Sequence, residues 1–530
     1  MLSQEETWFY IRAKDTVFNP DFTKRNDRLV FSGTDENLKN ILDNYTIRAF
    51  KKTLRNTNKN NQNKTFFVIS DKKTLLDDLL LNATNHFKSG EIIPEKDRKI
   101  FEPNDYGLTS TIGANTGAKA NLDYLDFLGA PKAWYYTTGS KGVFVGISDG
   151  IVDTTNIDFK EKTEIIRKSY VANGHGYSIS ANAAAQGDNG YGIPGICYDC
   201  SIYSTTYGHF KVLSEVMELS NLGAKVVNCS WVGSKYYESA QKAINQIINN
   251  GTLVVAAAGN GNWYELDKGE KVYYPASYEN VISVSSAMYR NESVFDDLRQ
   301  EENGNYYAEN VRGYIGRTIG FPDNDTLQTP IIHPVSVAAL NKHVDILAPT
   351  VGLFRNSQFI LKDEVLKYSE YETTSGAAPL VTGTIGLMLS LSPCLPIDEV
   401  ESILKMTAMN IDHIDANKQF EGNYGAGILQ TGDAVEMVYQ MFAENETVTI
   451  DNQNFSRWDF KLTTYSEKTV LKNQQFTDAA TLNLTSKNQI VLSENTVLKP
   501  NREGSIHLKI DSSLQKECEL QLRDPSILKK

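Results

Sequence analysis

Positive charge, cysteine and long apolar runs are all scarce in this 530-residue chain. Lys plus Arg number 53 against 65 Asp plus Glu, a net charge of −12 and a pI near 5.3. That balance argues against phosphate backbones or anionic membranes as the main partner, so no nucleic acid is expected. Five cysteines are too few for a disulfide scaffold and odd in number. Cys197 and Cys200 make a single C-x-x-C, and a four-ligand zinc site would need a second pair close by. A local disulfide and two free thiols both remain open. No apolar run reaches the roughly 18 residues that cross a bilayer, so no transmembrane segment is expected. The start, Met1-Leu2-Ser3-Gln4-Glu5-Glu6, has neither the basic opening nor the apolar core of a leader. It is compatible with a protein kept inside the cell or with a chain that begins near a cleavage point.

What is present is ordinary globular sequence: 41% apolar and 22% charged, with 36 Gly and 15 Pro, which excludes collagen-like and disordered chains. At about 150 residues per domain the length predicts three or four domains. Residues 1–105 read as a small α/β unit. Strands are expected at Trp8–Ile11, Leu29–Phe31, Phe66–Ile69 and Lys99–Phe101, with helices over Asp35–Lys52 and Thr74–Phe87. A polar bridge, Asn56–Lys64, divides the unit, and Pro103–Gly107 reads as a linker. Between about 106 and 443, wholly apolar strands (Val143–Ile147, Lys225–Val227, Thr252–Ala258, Val281–Val284, Val344–Leu347) alternate with helices such as Lys211–Leu222 and Glu238–Asn249. That rhythm predicts a parallel sheet covered on both faces. A polar segment, 287–343, interrupts it and is expected to border the functional cleft. Residues 444–530 return to short alternating runs and read as a small all-β domain, with no long internal repeat.

Four residues fall where open α/β sheets place their chemistry. Asp149 follows the strand Val143–Ser148. His175 stands in Gly174-His175-Gly176 ahead of an Ala-rich helix, where small neighbours leave the imidazole accessible. Asn260 ends Val254–Gly259, its amide at the sheet's edge. Ser375 lies in Thr373-Thr374-Ser375-Gly376-Ala377-Ala378-Pro379 at the head of an apolar helix, where the helix dipole and backbone N–H groups face developing negative charge. Each has a bland reading as a turn, a core histidine or a helix cap. The order Asp, His, Asn, Ser carries more than any one of them.

Those blocks resemble the subtilisin-like serine proteases. Val145–Phe159, Asn173–Ala185, Val254–Asn260 and Thr374–Pro379 are similar to the family's Asp, His, oxyanion and Ser blocks. Gly192–Ile196, Val226–Ser230, Tyr274–Ile282 and Val344–Pro349 are similar to the segments between them. The resemblance, over about 110–440, implies an α/β fold with a doubly wound, mostly parallel sheet and helices on both faces. It implies a serine endopeptidase acting on protein or peptide substrates. Ser375 would be the nucleophile, His175 the base and then acid, Asp149 the group that holds the imidazole, and Asn260 an oxyanion donor. Ser230, Trp231, Val232, Ala258 and Gly259 would contact substrate, Ser230–Val232 by strand pairing. Gly150-Ile151, Ser178, Gly376 and Leu380 depart from the family's usual residues, and none of them removes the acid, base or nucleophile. Val232 stands where Gly is common, which implies a narrower pocket.

By the same resemblance, residues 1–105 would be a prodomain that assists folding and acts as an intramolecular inhibitor, released by self-cleavage between about 100 and 120. No cofactor is required by this chemistry. Structural calcium is implied for many relatives, and Asp188-Asn189 and Asp323-Asn324-Asp325 are too short to assign a site. Export is expected, with a cytoplasmic location as the alternative. The rival readings are a fold-keeping binding protein without turnover, an intracellular processing protease for a dedicated peptide, and a serine esterase. The last is disfavoured by the lack of a Gly-x-Ser-x-Gly elbow.

Overall fold

Period-two burial in β1 (Thr7–Ala13) turns Phe9, Ile11 and Ala13 into a core and makes this the inner strand of an N-terminal sheet. The computed structural model describes residues 6–525 apart from 16–17, 26–27, 53–63, 95–97, 107–121, 172–173, 261–271, 334–336, 351–352, 363–364 and 372. The sheet adds β2 (Phe22–Arg25), β3 (Arg28–Phe31), β4 (Ile47–Lys52), β5 (Thr65–Ser70) and β6 (Phe87–Ile92), all antiparallel, in the order β2-β3-β4-β5-β1-β6. Helices α1 (Glu36–Leu42) and α2 (Thr74–Asn82) bury Leu38, Ile41, Leu42, Leu75, Leu76 and Leu79 against it.

Three expectations fail in this unit. The helix expected to run to Lys52 starts on an Asp35 cap and ends at Leu42, and the β-formers Ile47 and Phe50 take the chain into β4. The second helix stops at Asn82, and Phe87 opens β6 instead. Lys99–Phe101 is not a strand but an extended tie, with Phe101 N–H bonded to Pro131 O and Arg523 stacked on the Phe101 ring. All of the polar bridge but Lys64 lies outside the described residues.

The central domain opens with α3 (Asp123–Phe127) and α4 (Ala130–Tyr136). It then lays down β7 (Phe144–Ser148), β8 (Thr163–Ile165), α5 (His175–Ala184), β9 (Ser201–Thr205), α6 (Ser214–Asn221), β10 (Val226–Cys229), α7 (Glu238–Asn249), β11 (Leu253–Ala257) and β12 (Val281–Ala287). Two small hairpins follow, β13 (Leu298–Gln300) with β14 (Tyr306–Ala308) and β15 (Arg317–Gly320) with β16 (Ile331–His333). Then come β17 (Ile346–Pro349), a hairpin of β18 (Leu353–Lys362) and β19 (Val365–Tyr371), and helices α8 (Thr374–Leu391), α9 (Ile397–Met406) and α10 (Thr431–Phe442). The sheet is parallel throughout, order β17-β12-β11-β10-β7-β9-β8: from β7 the chain goes to the edge at β8, returns through β9, then crosses to β10 and winds outward to β17, reversing direction at β7. Ligands bind at such a reversal, beyond the carboxyl ends of the strands. Helix α8 is apolar and long enough to span a membrane by composition, but 94% of it is buried in this core. Cys197 is bonded to Cys200 and Cys394 to Cys518.

The C-terminal region is all-β among the described residues, and although no long repeat was expected it carries a short one. Strands β20 (Thr447–Asp451), β21 (Asn454–Phe455) and β22 (Asp459–Thr464) make one three-sided rung. β23 (Lys468–Lys472), β24 (Gln475–Asp478) and β25 (Thr481–Ser486) make the second, and β26 (Ile490–Leu492), β27 (Val497–Pro500) and β28 (Ser505–Ile510) the third. Corresponding strands pair in parallel, one sheet per side of a β-solenoid. The rungs repeat one corner as well: Asn452, Asn473 and Asn495 all hold a positive φ, which asparagine tolerates better than most residues, and Asn495 Nδ2 donates to Asn473 Oδ1 at 3.0 Å. Helix α9 closes the first rung, where Ser402 and Glu399 accept the N–H groups of Lys461 and Thr463.

Candidate active site

The reversal at β7 places Asp149 just beyond its strand, fully buried. The chain comes back to this point at the first turn of α5. A Cβ at Gly176 would lie 2.3 Å from Gly150 O, so only glycine lets the helix start this close. The approach puts His175 Nδ1 at 2.7 Å from Asp149 Oδ1, and Gly150 N–H donates to the same oxygen at 2.6 Å. A proton on Nδ1 facing that buried carboxylate leaves Nε2 as the ring's acceptor. The ring remains 21% exposed, open on the cleft side. Burial, and then the nearby Asp149 charge, pushes the Tyr207 phenol and the Cys229 thiol well above their usual ranges, so both stay protonated beside the carboxylate. Neither was singled out from the sequence.

Ser375 sits in the first turn of α8, the one residue of that helix that is not buried. Pro379 has no N–H to give the Ser375 carbonyl four residues back, and Ser230 Oγ donates to that carbonyl at 3.0 Å instead. Ser375 Oγ in turn lies 3.3 Å from Ser230 O, so the helix start is fastened to the residue after β10. The Thr/Ser cluster was expected to cap this helix, yet Thr373 makes no side-chain cap bond. The cap comes from afar: Asn260 Oδ1 accepts Thr374 N–H at 2.9 Å and Thr374 Oγ1 at 3.2 Å. Its carbonyl thus engaged, the amide presents its Nδ2 donors at the cleft, where the residue is exposed. Thr374, which the sequence did not single out, is the residue that orients Asn260.

Of the expected substrate contacts, Ser230 is tied into the Ser375 pair and to Asn228 Nδ2, and Val232 is exposed. The Trp231 indole turns inward and donates to Ser148 O at 3.1 Å, so its ring is a buried brace and no substrate contact. The Ala258 side chain is likewise buried. The backbone beyond Val232 pairs with Tyr274 through Gly233. Gly259, at φ +107°, meets the Tyr273 ring so closely that a Cβ there would come within 2.5 Å of it. Tyr273 therefore packs directly on the 258–260 segment. The 287–343 segment does reach this edge, since Ala339 N–H donates to Gly259 O.

A second group of side chains lies beyond α5. Asp105 and Asp158 each carry a buried Oδ2 without a hydrogen-bond partner. Burial raises their carboxyls to about 6 and about 7. Asp188 N–H donates to Asp105, Asn189 Nδ2 to Asp158, and a Cβ at Gly192 (φ +60°) would fall 2.3 Å from Asp158 Oδ2. The described residues hold no cluster of three or more acidic, His or Cys side chains able to bind a metal. This pair, completed by neutral oxygens, fits a hard cation.

Residues 140–427 match the model of the subtilase family, and the chain belongs to that family. It is 25% identical over 289 residues to subtilisin DY of Bacillus licheniformis, covering 52% of this chain and 86% of that one. It is also 25% identical over 406 residues to the calcium-dependent protease of Trichormus variabilis, covering 68% of this chain and 54% of that protein. The chain thus spans about half the length of that relative. Among solved structures it is similar to the prenylagaramide maturation protease PagA, with a TM-score of 0.41, 21% identity, and 58% of this chain and 98% of that chain covered.

Proposed function

We propose that this chain is a serine endopeptidase that hydrolyses peptide bonds through an acyl-enzyme. The observation that carries the reading is His175 seated on the buried Asp149 at 2.7 Å, at the sheet edge from which Ser375 is presented. Ser375 Oγ attacks the peptide carbonyl carbon while His175 Nε2 takes its proton. The oxyanion accepts from Asn260 Nδ2 and from the Ser375 N–H, which has no acceptor within the first turn of its helix. Collapse breaks the C–N bond, His175 protonates the departing amine, and water repeats the sequence to release the acid. Substrate adds as a strand along Ser230–Val232. The Tyr273 ring and the Val232 side chain favour a small residue before the cut bond.

A fluorophosphonate probe is expected to label Ser375, and N-terminal sequencing of products from a mixed peptide library should reveal small residues before the cut. A folded sample that neither labels nor cleaves would leave the fold-keeping binding protein as the reading. Asn260→Ala is expected to lower kcat by about 10²–10³ with little change in KM, as loss of one oxyanion donor does. A loss under tenfold in steady-state assays would remove Asn260 from that role.

Residues 1–105 act in this reading as a prodomain. The tie between the two units supports it: Lys99 bonds Glu436 at 3.1 Å, and Asn104 bonds Asp188 just before the central domain begins. The expected self-cleavage region lies mostly in 107–121, outside the described residues. Export fits a self-processing peptidase with two disulfides.

Asp105 and Asp158, with oxygens of the 187–192 loop, would hold a structural calcium ion, which supplies the charge that two buried carboxylates lack. Without metal, carboxyls raised to about 6 and 7 stabilise the fold while protonated, and that contribution disappears as pH rises through those values. In the unprocessed Ser375→Ala chain, which keeps Asp105, chelator is therefore expected to lower Tm by several degrees at pH 8 and hardly at all at pH 5, with added calcium restoring it. A Tm indifferent to chelator and to calcium at pH 8 would refute the site.

A further inference from the structure

The two ends of the β-solenoid are finished differently. At the first rung, α9 accepts edge N–H groups and covers the interior. At the third rung, β26, β27 and β28 each pair on one side only. Among the described residues, the chain after Ile510 does not cross this end. It returns to the central domain, where Cys518 bonds Cys394 and Gln521 N–H bonds Leu391 O. The inward columns record the consequence. Ile450 and Leu471 are buried but Leu492 above them is 52% exposed; Leu462 and Leu484 are buried but Leu508 is 36% exposed; Thr464 and Ser486 are buried but Ile510 is 57% exposed. These side chains point into a core that no described residue covers.

We propose that this open end docks on the same end of a second copy, continuing the solenoid across a two-fold axis. An edge of three unpaired strands around an aliphatic centre is continued by another three-sided rung of the same size, which a second copy supplies. Strand lengths choose the axis. β28, the longest, pairs antiparallel with its own twin, while the shorter β26 lies on the partner's β27. To keep core residues on one side, Leu508 must face its twin and Ile506 must face Ile510, since directly opposed residues in an antiparallel pair share a face. The same axis passes through the opposite corner, so Asn495 meets its twin and the asparagine ladder runs on. It also brings the corner with Arg502 and Glu503 onto the partner's corner with Asp511 and Lys487, so each charge finds its opposite.

The test uses the full chain carrying Ser375→Ala, so that self-cleavage does not confound mass. Light scattering across a concentration series should show the 59.2 kDa mass doubling. Leu508→Cys should give a covalent dimer under oxidation, and Leu508→Glu should abolish the dimer while leaving the far-UV circular dichroism unchanged. A chain that stays monomeric throughout, whether or not it captures some other protein, overturns the proposal. So does a dimer that Leu508→Glu leaves intact.

Discussion

Ser375→Ala is expected to lower kcat for peptide hydrolysis by about 10⁶ while leaving Tm unchanged. The hydroxyl is a poor nucleophile without a base to take its proton, and here that base is held ready by a buried carboxylate. Removing Oγ leaves Asn260 Nδ2 and the helix start in place, so substrate still binds and only background hydrolysis by water remains. The Ser375 carbonyl bond to Ser230 uses backbone, so the fold keeps its fastening. Single-turnover kinetics on a peptide library, with fluorophosphonate labelling alongside, make the check. Labelling that survives in the alanine variant would mean that another residue is the nucleophile.

Asp149→Asn should cost about 10⁴ in kcat with KM nearly preserved. Gly150 N–H and His175 Nδ1 share Asp149 Oδ1, so the amide's oxygen is drawn to that side and still accepts from both. What the variant loses is the negative charge that offsets the imidazolium formed when His175 takes the Ser375 proton. Because Asn is nearly isosteric and the site is fully buried, the variant should fold normally, and near-UV circular dichroism would verify it. A loss below about tenfold would mean that the carboxylate does not stabilise the imidazolium.

The sequence carried the chemistry further than the architecture around it. Asp149, His175, Asn260 and Ser375 were legible because each sits at a strand end or helix start that period and composition already mark. Gly176 and Pro379 mark the same places for a steric reason. The solenoid was not legible as a repeat, because its rungs share little beyond inward apolar positions and a corner asparagine. That corner, Asp451-Asn452-Gln453-Asn454-Phe455 against Lys472-Asn473-Gln474-Gln475-Phe476, was the signal that would have revealed it.

By itself, then, the order of residues determined the alternating parallel core and where Asp149, His175, Asn260 and Ser375 fall in it, since local spacing dictates which side chains end a strand or begin a helix. Only the tertiary structure decided that Asn260 caps α8, that Trp231 turns inward, that Tyr273 packs on Gly259 and that Asp105 and Asp158 are both buried against the 188–192 loop. Each of these depends on segments from tens to more than a hundred residues apart. Their distances are fixed by packing, which no local pattern encodes.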